Sequence, residues 1–590
     1  MSRRERRTRR SPRSRVVRRV VAGLALVVVV LVLLAGWQLV QAAREVSQAK
    51  AQASSMKAAL SGRDFVAAHR DAEALGATAA DLKGRTDGLT WSAMSALPVV
   101  GSDLDALATA SHGLTGVAQG AEQVTSVLAK PHGLLKGDRV SISAVRTIAA
   151  ATDAAARGLG DLDTAVTALE DSKLPPVRAK ATDLGAQVDA GLEGVEKFQP
   201  VIRQAPALLG AGGTRHYLLV FQNNAEVRAT GGLLGSAARI TADRGRLTLE
   251  QSFSPVLKTE QTKASFDFSA SERALYGRDL DRGAVFLNSM PDFQRTSELL
   301  RQGWSSWFGN QLDGVISVDT VSLSYLLRAT GPLNVLGESL TPDNAVDSLL
   351  STAYSRYPDN AGQDRFFSAV AAKLFSGVTN GDVDTAALFT AFRRMADESR
   401  FQSQFFLPGA SAVDVDPFGD EDVKRSAVTV GFNNTSGDKM SFYLRRTVKV
   451  RSISCSGDGQ ILRGRALLSS SAPVGGVGLA PRVTEVRPPN QYGGVWHHVP
   501  LGSQLVQVVI RAPAGGQVGA VEVDGRRRSV ARAEQGGNDV VTLSVQVPAQ
   551  ESHVVTWDMA TPNRPGDIDL VVTPGVEARS ASSVASSSCS

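Results

Sequence analysis

Hydrophobic and polar positions divide the chain into stretches of different periodicity. The first is an apolar run, Val20–Val40, whose only polar side chain is Gln38. As a helix rising about 1.5 Å per residue, this run spans roughly 31 Å, which matches the hydrocarbon core of a bilayer. It therefore predicts a transmembrane helix in a single-pass membrane protein.

The flanks of this run predict its orientation. Ten arginines lie within the first nineteen residues, and positive charge resists translocation. We expect residues 1–19 to form a cytoplasmic arginine-rich tail and residues 20–40 an uncleaved signal anchor, with the bulk of the chain extracytoplasmic. A cleaved signal peptide ending near Val40-Gln41-Ala42 is the alternative, although its apolar core would be unusually long.

Residues 41–205 show helical periodicity. Breaks at Leu97-Pro98, Pro131-His132-Gly133 and Pro175-Pro176 separate four or five segments. An antiparallel helical bundle or stalk is expected, and a stalk is favoured over a sensor because the cytoplasmic tail is too short to fold. The predicted apolar stripes are Leu107, Ala110, Leu114, Val117, Ala121, Val124 and Leu128 in one helix, and Ile148, Ala155, Leu159, Leu162, Val166 and Leu169 in the next.

Residues 206–447 alternate short apolar runs with amphipathic segments. Tyr217–Phe221 and Leu312–Val318 have the pattern of buried strands, and Asp243–Arg246 that of a hairpin turn. Strands alternating with helices predict a central α/β (α+β) domain. The predicted helices are Thr296–Phe308, Val321–Thr330, Pro342–Thr352 and Asp364–Gly377.

Residues 448–575 lack helical periodicity. Short strand patterns, such as Leu505–Ile510 and Val540–Val547, alternate there with Gly and Pro turns. This predicts a C-terminal β-sandwich-like domain. The Ser-rich composition of residues 576–590 predicts a disordered tail.

Charge and cysteine content narrow the function classes. The net charge of +6 comes from the N-terminal arginines, so the body of the chain is slightly acidic and no nucleic-acid partner is expected. With two cysteines, Cys455 and Cys589, no cysteine metal site is expected, and no cofactor is predicted. A disulfide between them is compatible with the sequence, but a small buried residue is the favoured interpretation of Cys455.

Three local patterns carry little chemistry. Gly210–Gly213 has no following lysine and precedes a strand, unlike a phosphate-binding loop. Ser436-Gly437-Asp438-Lys439 matches the Ser-x-x-Lys of acyl-enzymes but lies in a polar turn without the companion motifs. His497-His498 lacks a recognisable third metal ligand. No complete catalytic motif results, and no catalytic or metal-binding residue is assigned.

The segment after the strand Tyr217–Phe221 is more informative. Asn223, Asn224, Glu226 and Arg228 gather at the C-terminal end of this strand. In open α/β sheets that edge is where ligands bind. Arg228 could pair with Glu226 as a structural contact or clamp a phosphate with two hydrogen bonds, and both alternatives remain open.

Four ordered segments resemble one family. They are Leu97–Leu104, the run HYLLVFQNNAEVRATGGLLGS from His216, Arg400–Gln404 and Val430–Leu444. Together they are similar to the domain of unknown function 4012 family of Gram-positive envelope proteins, over residues 97–458. The resemblance implies an envelope protein whose family has no established activity.

A second, looser resemblance is to the LytR-CpsA-Psr phosphotransferases, which attach undecaprenyl-linked polymers to the cell wall. It implies that Arg228 and Arg365 would hold pyrophosphate, and that Asn288 would lie near them. Two features depart from that family: Ala229-Thr230-Gly231 replaces the expected acidic metal ligand, and an expected arginine is missing around residues 254–258. The segments that carry the resemblance are Phe286–Ser289, Leu312–Asp319, Gly331–Val335 and Gln363–Phe366.

These observations predict a membrane-anchored extracytoplasmic scaffold or binding module for polysaccharide or lipid-linked precursors, with a non-enzymatic role favoured. The alternative is a divergent phosphotransferase acting on undecaprenyl-linked polymer. Expected partners are the membrane and a cell-wall polymer or polyprenyl phosphate; protein partners are not indicated. The candidate ligand-binding residues are Asn223, Asn224, Glu226, Arg228, Asn288 and Arg365.

Overall fold

The computed structural model describes two compact units. The first is drawn from Met1–Leu134 and Ser141–Ala205, and the second from Leu135–Val140 and Pro206–Ser590. The predicted cytoplasmic tail and signal anchor, residues 1–40, lie outside the described residues. Those residues are 41, 44–62, 64–96, 101–130, 133–136, 138–250, 252–277, 280, 283–380, 383–406, 427–456, 459–484, 499–561, 568–577 and 582–584.

The first unit is helical, as its periodicity predicts. Side chains cap two of its helices: Asp64 accepts from the Ala67 amide, and Ser141 from the Ala144 amide. No helix among the described residues is both long and apolar enough to cross a membrane. The helices are 44–61, Phe65–Thr86, Leu89–Ser95, Gly101–Leu128, Ile142–Glu170 and Pro175–Leu208, the last of which ends in the second unit.

The two longest wholly contained helices of this unit meet over small residues. A Cβ placed on Gly113 would lie 2.5 Å from the Gly158 carbonyl oxygen, so the backbones are in direct contact. Leu107 and Leu114, from the predicted stripe of Gly101–Leu128, are partly buried and pack against a hydrophobic cluster of this unit. Because the two helices approach closely, the buried residues of Gly101–Leu128 include the small residues Ser111, Gly113, Ala118 and Gly120.

A seven-stranded mixed sheet, the central sheet, organises the first half of the second unit. One interior strand, Arg215–Asn223, pairs antiparallel with Leu233–Asp243 and parallel with Gly314–Asp319. Apolar residues alternate between the two faces of this strand and pack against helices on both sides. The spatial order is Leu135–Lys136, Arg139–Val140, Arg246–Leu249, Leu233–Asp243, Arg215–Asn223, Gly314–Asp319 and Phe401–Phe405.

The predicted helices of this region are present with shifted bounds. Gly331, with φ of 79°, ends the helix Thr320–Thr330 where the sequence predicts a stop. Arg244 and Gly245 both have positive φ, which produces the predicted hairpin turn. The helices are Pro255–Thr262, Ala270–Tyr276, Phe293–Phe308, Thr320–Thr330, Ala345–Asp347, Ala353–Arg356, Asn360–Asn380 and Thr385–Asp397, with a 3₁₀ turn at Ala284–Phe286, a π-helical turn at Ser348–Thr352 and a small hairpin at Leu333–Val335 and Glu338–Leu340.

Two further sheets share a hydrophobic core and form a β-sandwich. The predicted division at residue 447 falls inside the strand Leu444–Ser456, and Val428–Asn434 already belongs to the sandwich. One sheet has the order Ala531–Gln535, Asn538–Val547, Gln504–Arg511, Val428–Asn434, Leu570–Val572. The other has the order Arg526–Arg527, Gln517–Val523, Ser552–Thr561, Gly459–Ser470, Leu444–Ser456, Ser583–Val584. Short helical turns lie at Met440–Tyr443, Val474–Gly476 and Pro481–Thr484.

Two expectations for the C-terminal region are wrong. Ser583–Val584, in the stretch predicted to be disordered, pairs in parallel with Lys449 and Val450, because the edge of that sheet offers free backbone groups. Cys455 is exposed and disulfide-bonded, not a small buried residue. The second cysteine of the sequence, Cys589, lies outside the described residues.

Candidate functional site

The polar segment 222–232 connects the strand Arg215–Asn223 to its antiparallel neighbour, and it lies at the edge where the two parallel strands end. Asn224, Glu226, Arg228 and Thr230 are all buried. Their partners come from the central sheet and from the sandwich. We call this hydrogen-bonded group the polar junction. All its members are buried except Asn223 and Lys439, which are partly buried; they are Gln222, Asn223, Asn224, Glu226, Arg228, Thr230, Asn288, Asp319, Arg400, Asn433, Asn434 and Lys439.

Glu226 is held between two cations. Its Oε1 accepts from Arg228 Nη2 at 2.9 Å, and its Oε2 accepts from Lys439 Nζ at 2.8 Å. Burial alone would raise the pKa of Glu226, but the charges and hydrogen bonds of Lys439 and Arg228 outweigh it and lower the pKa to about 2. Glu226 is therefore ionised at neutral pH and serves as an internal counter-ion.

Arg228 is enclosed by protein, with only 1% of its surface exposed. Its Nη1 donates to the carbonyl oxygens of Asn434, at 2.8 Å, and Val227, at 3.0 Å. Its guanidinium carbon lies 5.5 Å from the centre of the Phe286 ring. Of the two alternatives that the sequence leaves open, this geometry matches the structural pairing with Glu226, since both Nη groups are already engaged.

The two asparagines secure the end of the parallel pair. Asn224 donates to Asp319 Oδ2 at 3.0 Å and accepts from the Thr320 amide at 3.2 Å. Asn223 accepts from the Ala225 amide at 3.0 Å and donates to the Tyr354 hydroxyl. These contacts fix the loop through two hydrogen bonds to backbone amides and two to other side chains.

The Gln222 side chain forms hydrogen bonds with several groups around the loop. Its Nε2 donates to Ser317 Oγ at 2.6 Å, and its Oε1 accepts from the Gly232 amide at 2.8 Å and from Thr230 Oγ1 at 3.1 Å. Asn288 is completely buried and donates to the Gly232 carbonyl at 2.7 Å. Asn288 thus holds the glycine turn in place.

Arg400 ties the central sheet to the C-terminal part of the chain. Its Nη1 donates to Asp319 Oδ2 at 2.6 Å and to the Gly575 carbonyl at 2.7 Å. Its Nε donates to Glu398 Oε2 at 2.5 Å, and its Nη2 to the Glu577 carbonyl at 2.9 Å. Burial alone would lower the pKa of Arg400, but Asp319 and Glu398 outweigh it and raise the pKa.

The Ser-x-x-Lys pattern has a structural explanation. Ser436 Oγ accepts from the Leu505 amide at 3.0 Å, and Lys439 is the cation that pairs with Glu226. Asn434 organises the turn, accepting from the amides of Ser436 and Gly437 at 3.0 Å. Ser436 therefore stabilises the turn, and Lys439 belongs to the junction through a separate contact.

Arg365 does not share this environment. It is exposed on the helix Asn360–Asn380, and within the described part of the chain it forms no hydrogen bond or ion pair with the junction. Of the candidate residues, Asn223, Asn224, Glu226, Arg228 and Asn288 come together, and Arg365 stands apart. Two cavities described among these residues, one around Arg295 and Arg301 and one around Arg446, are lined by neither Arg228 nor Arg365.

Seven members of the junction were not among the candidate residues: Gln222, Thr230, Asp319, Arg400, Asn433, Asn434 and Lys439. Each lies in a segment that carries a family resemblance, namely the run from His216, Leu312–Asp319, Arg400–Gln404 or Val430–Leu444. The resemblance was therefore a usable signal, since segments far apart in the chain meet at one buried network. Among the described residues, no group of three or more His, Cys, Asp or Glu side chains is arranged to hold a metal ion.

Comparison with known proteins bears on residues 212–354. This stretch matches the family model described as Protein of unknown function (DUF4012), and it contains both the polar segment and Asp319. No curated protein and no solved structure matches the chain. The match supports the similarity to this family in the region that contains the site.

Proposed function

We propose that this protein is a membrane-anchored, extracytoplasmic scaffold or binding module of the cell envelope. Its ligands would be polysaccharide or lipid-linked precursors. In this proposal the polar segment 222–232 is a rigid joint that fixes the sandwich to the central sheet. The single observation that carries it is the closed pairing of Arg228 with Glu226, Lys439 and the Asn434 carbonyl.

This arrangement favours a scaffold over phosphoryl transfer for a physical reason. An arginine that stabilises a transferring phosphoryl group needs free donors that face the substrate. Arg228 directs both Nη groups at protein oxygens, and Arg365 is exposed elsewhere. The predicted anchor and arginine-rich tail support the location at the membrane, since charge before an apolar run retains the N-terminus in the cytoplasm.

The test compares two arginines that the phosphotransferase alternative treats alike. Arg228→Ala and Arg365→Ala are introduced into the full chain, and each is tested for complementation of a deletion strain and for protein level in the membrane. A scaffold requires that Arg365→Ala complements fully. Arg228→Ala should fail only in proportion to its lower protein level.

A second measurement addresses the ligand. The purified full chain is analysed by mass spectrometry for bound polyprenyl phosphate and tested for retention on isolated wall polysaccharide. Retention that survives Arg365→Ala supports the proposal. Polyprenyl phosphate that co-purifies with the wild type and is lost in Arg365→Ala, together with loss of complementation at normal protein level, would overturn it.

A further inference from the structure

Arg446 occupies a position that the strand pattern assigns to the core. It lies on Leu444–Ser456, where Leu444, Val448 and Val450 face the sandwich interior, and alternation places Arg446 on the same face. Its guanidinium carbon lies 4.9 Å from the centre of the buried Phe432 ring. An arginine thus reaches inward at the edge of an apolar core.

Gly575 provides the space for this side chain. A Cβ built on Gly575 would lie 2.1 Å from Arg446 Nη2, which is far inside van der Waals contact. Any other residue at this position would have to displace the guanidinium. The backbone at Gly575 is therefore a close-fitting wall of the arginine's site.

The guanidinium has no carboxylate of its own among the described residues. Its Nη1 is buried without a hydrogen-bond partner there. The two nearby carboxylates are already engaged: Glu398 with Arg394 and Arg400, and Glu577 with Arg445. Burial and the neighbouring Arg400 lower the pKa of Arg446 to about 10, so the group still carries its charge at neutral pH.

Arg446 lines a cleft, which we call the Arg446 cleft. Its other walls are Leu444, Arg400, Glu398, the backbone and side chains of 572–577, and Ser582. Ser582 Oγ accepts from the Val448 amide at 3.2 Å, and its hydroxyl hydrogen can be donated. The cleft therefore combines a charged donor, a hydroxyl donor and apolar walls.

We propose that the Arg446 cleft binds a small oxyanion, a phosphate or a carboxylate group, with Arg446 as the charged donor and Ser582 as a second donor. The planar guanidinium matches both groups in geometry, and the bound anion supplies the charge that the protein does not. The cleft adjoins the polar junction through Arg400, but Arg446 is not a member of the junction, where every carboxylate and guanidinium has an internal partner.

The experiment uses the full chain in a non-ionic detergent at pH 7 and constant ionic strength. Inorganic phosphate, acetate and chloride are titrated separately, with thermal unfolding and isothermal titration calorimetry as measurements. We expect phosphate or acetate to bind saturably with one site per chain and chloride to have no such effect. Binding of phosphate alone would identify a phosphoryl ligand, and binding of acetate alone a carboxylate.

Three variants test whether anion binding depends on Arg446 or only on the overall positive charge of the protein. Arg446→Met should weaken binding at least tenfold, and Gly575→Ala should weaken it as well by displacing the guanidinium. Arg451→Met, at an exposed position of the same strand, should bind as the wild type does. The proposal is overturned if neither anion binds the wild type at tens of millimolar, or if Arg446→Met binds as tightly as the wild type.

Discussion

The polar junction and the Arg446 cleft bury the same chemical group in opposite ways. In the junction, Arg228 and Arg400 each meet a carboxylate and backbone carbonyls. In the cleft, Arg446 contacts an aromatic ring and forms no ion pair with a carboxylate among the described residues. Removing an ion from water costs several kcal/mol, whereas a cation–π contact returns roughly 0.5–2 kcal/mol.

Burial alone therefore does not assign a role to an arginine. What separates the two regions is whether the guanidinium forms an ion pair with a carboxylate. A guanidinium that is paired with a carboxylate has a structural role. A guanidinium without such a pair can be neutralised by an external anion. Four predictions test this distinction, beginning with the largest effect.

Removal of Arg400 should cost the most. Arg400→Met leaves Asp319 and Glu398 without their shared cation, and Asp319 is only 1% exposed. We expect a loss of about 3–5 kcal/mol in the free energy of unfolding, measured by urea denaturation with tryptophan fluorescence. Arg393→Met, at an exposed position on a neighbouring helix, should change it by no more than about 0.5 kcal/mol. Equal effects of the two variants would contradict the structural role.

Acid should weaken the junction through Glu226. Its pKa is lowered from the ordinary 4.5 to about 2, so its contribution is present above pH 4.5 and is lost as the pH falls towards 2. The shift corresponds to roughly 3 kcal/mol. Unfolding measured between pH 5 and 2 should show a steeper decline for the wild type than for Glu226→Gln. Glu260→Gln, at an exposed site, should retain the wild-type slope.

Removal of Arg446 should cost little. Arg446→Met removes a buried charge along with its contact to Phe432, so the two effects partly cancel. In buffer free of phosphate and acetate we expect the free energy of unfolding to change by less than about 1 kcal/mol, or to rise. Urea denaturation under the conditions used for Arg400→Met is the measurement. A loss as large as that at Arg400 would remove the contrast between the two regions.

The smallest effect is expected at Arg365, which is exposed. Arg365→Ala should alter stability by no more than about 0.5 kcal/mol in thermal unfolding. Arg356→Ala provides a graded comparison, since Arg356 pairs with Glu338 at 2.5 Å on the surface and should cost up to about 1 kcal/mol. A large loss at Arg365 would indicate contacts that the described structure does not contain.

The secondary-structure elements were predictable from local sequence patterns. The strand Arg215–Asn223, the turn at Arg244 and Gly245, and the stop at Gly331 each depend on a few neighbouring residues. The polar edge at Asn223–Arg228 was also predictable, because a cluster of polar residues follows a buried strand. These features required no knowledge of distant contacts.

The partners of that edge were not predictable from spacing. Lys439 lies 213 residues after Glu226, and Arg400 lies 81 residues after Asp319. Spacing at that range specifies no distance in space, so neither cation could be assigned to its carboxylate. The choice between a structural and a phosphate-binding Arg228 depends on these partners, which is why the sequence left it open.

The hydrogen bond from Thr573 to the Ala229 carbonyl has a consequence for synthesis. The two residues are 344 positions apart, and the bond is 2.8 Å long. At about 5–20 residues per second, a ribosome needs roughly 17–70 s to make the intervening chain. Until Thr573 has been made, the Ala229 carbonyl cannot form this hydrogen bond. Folding around this loop therefore cannot be completed before residue 573 has been synthesised.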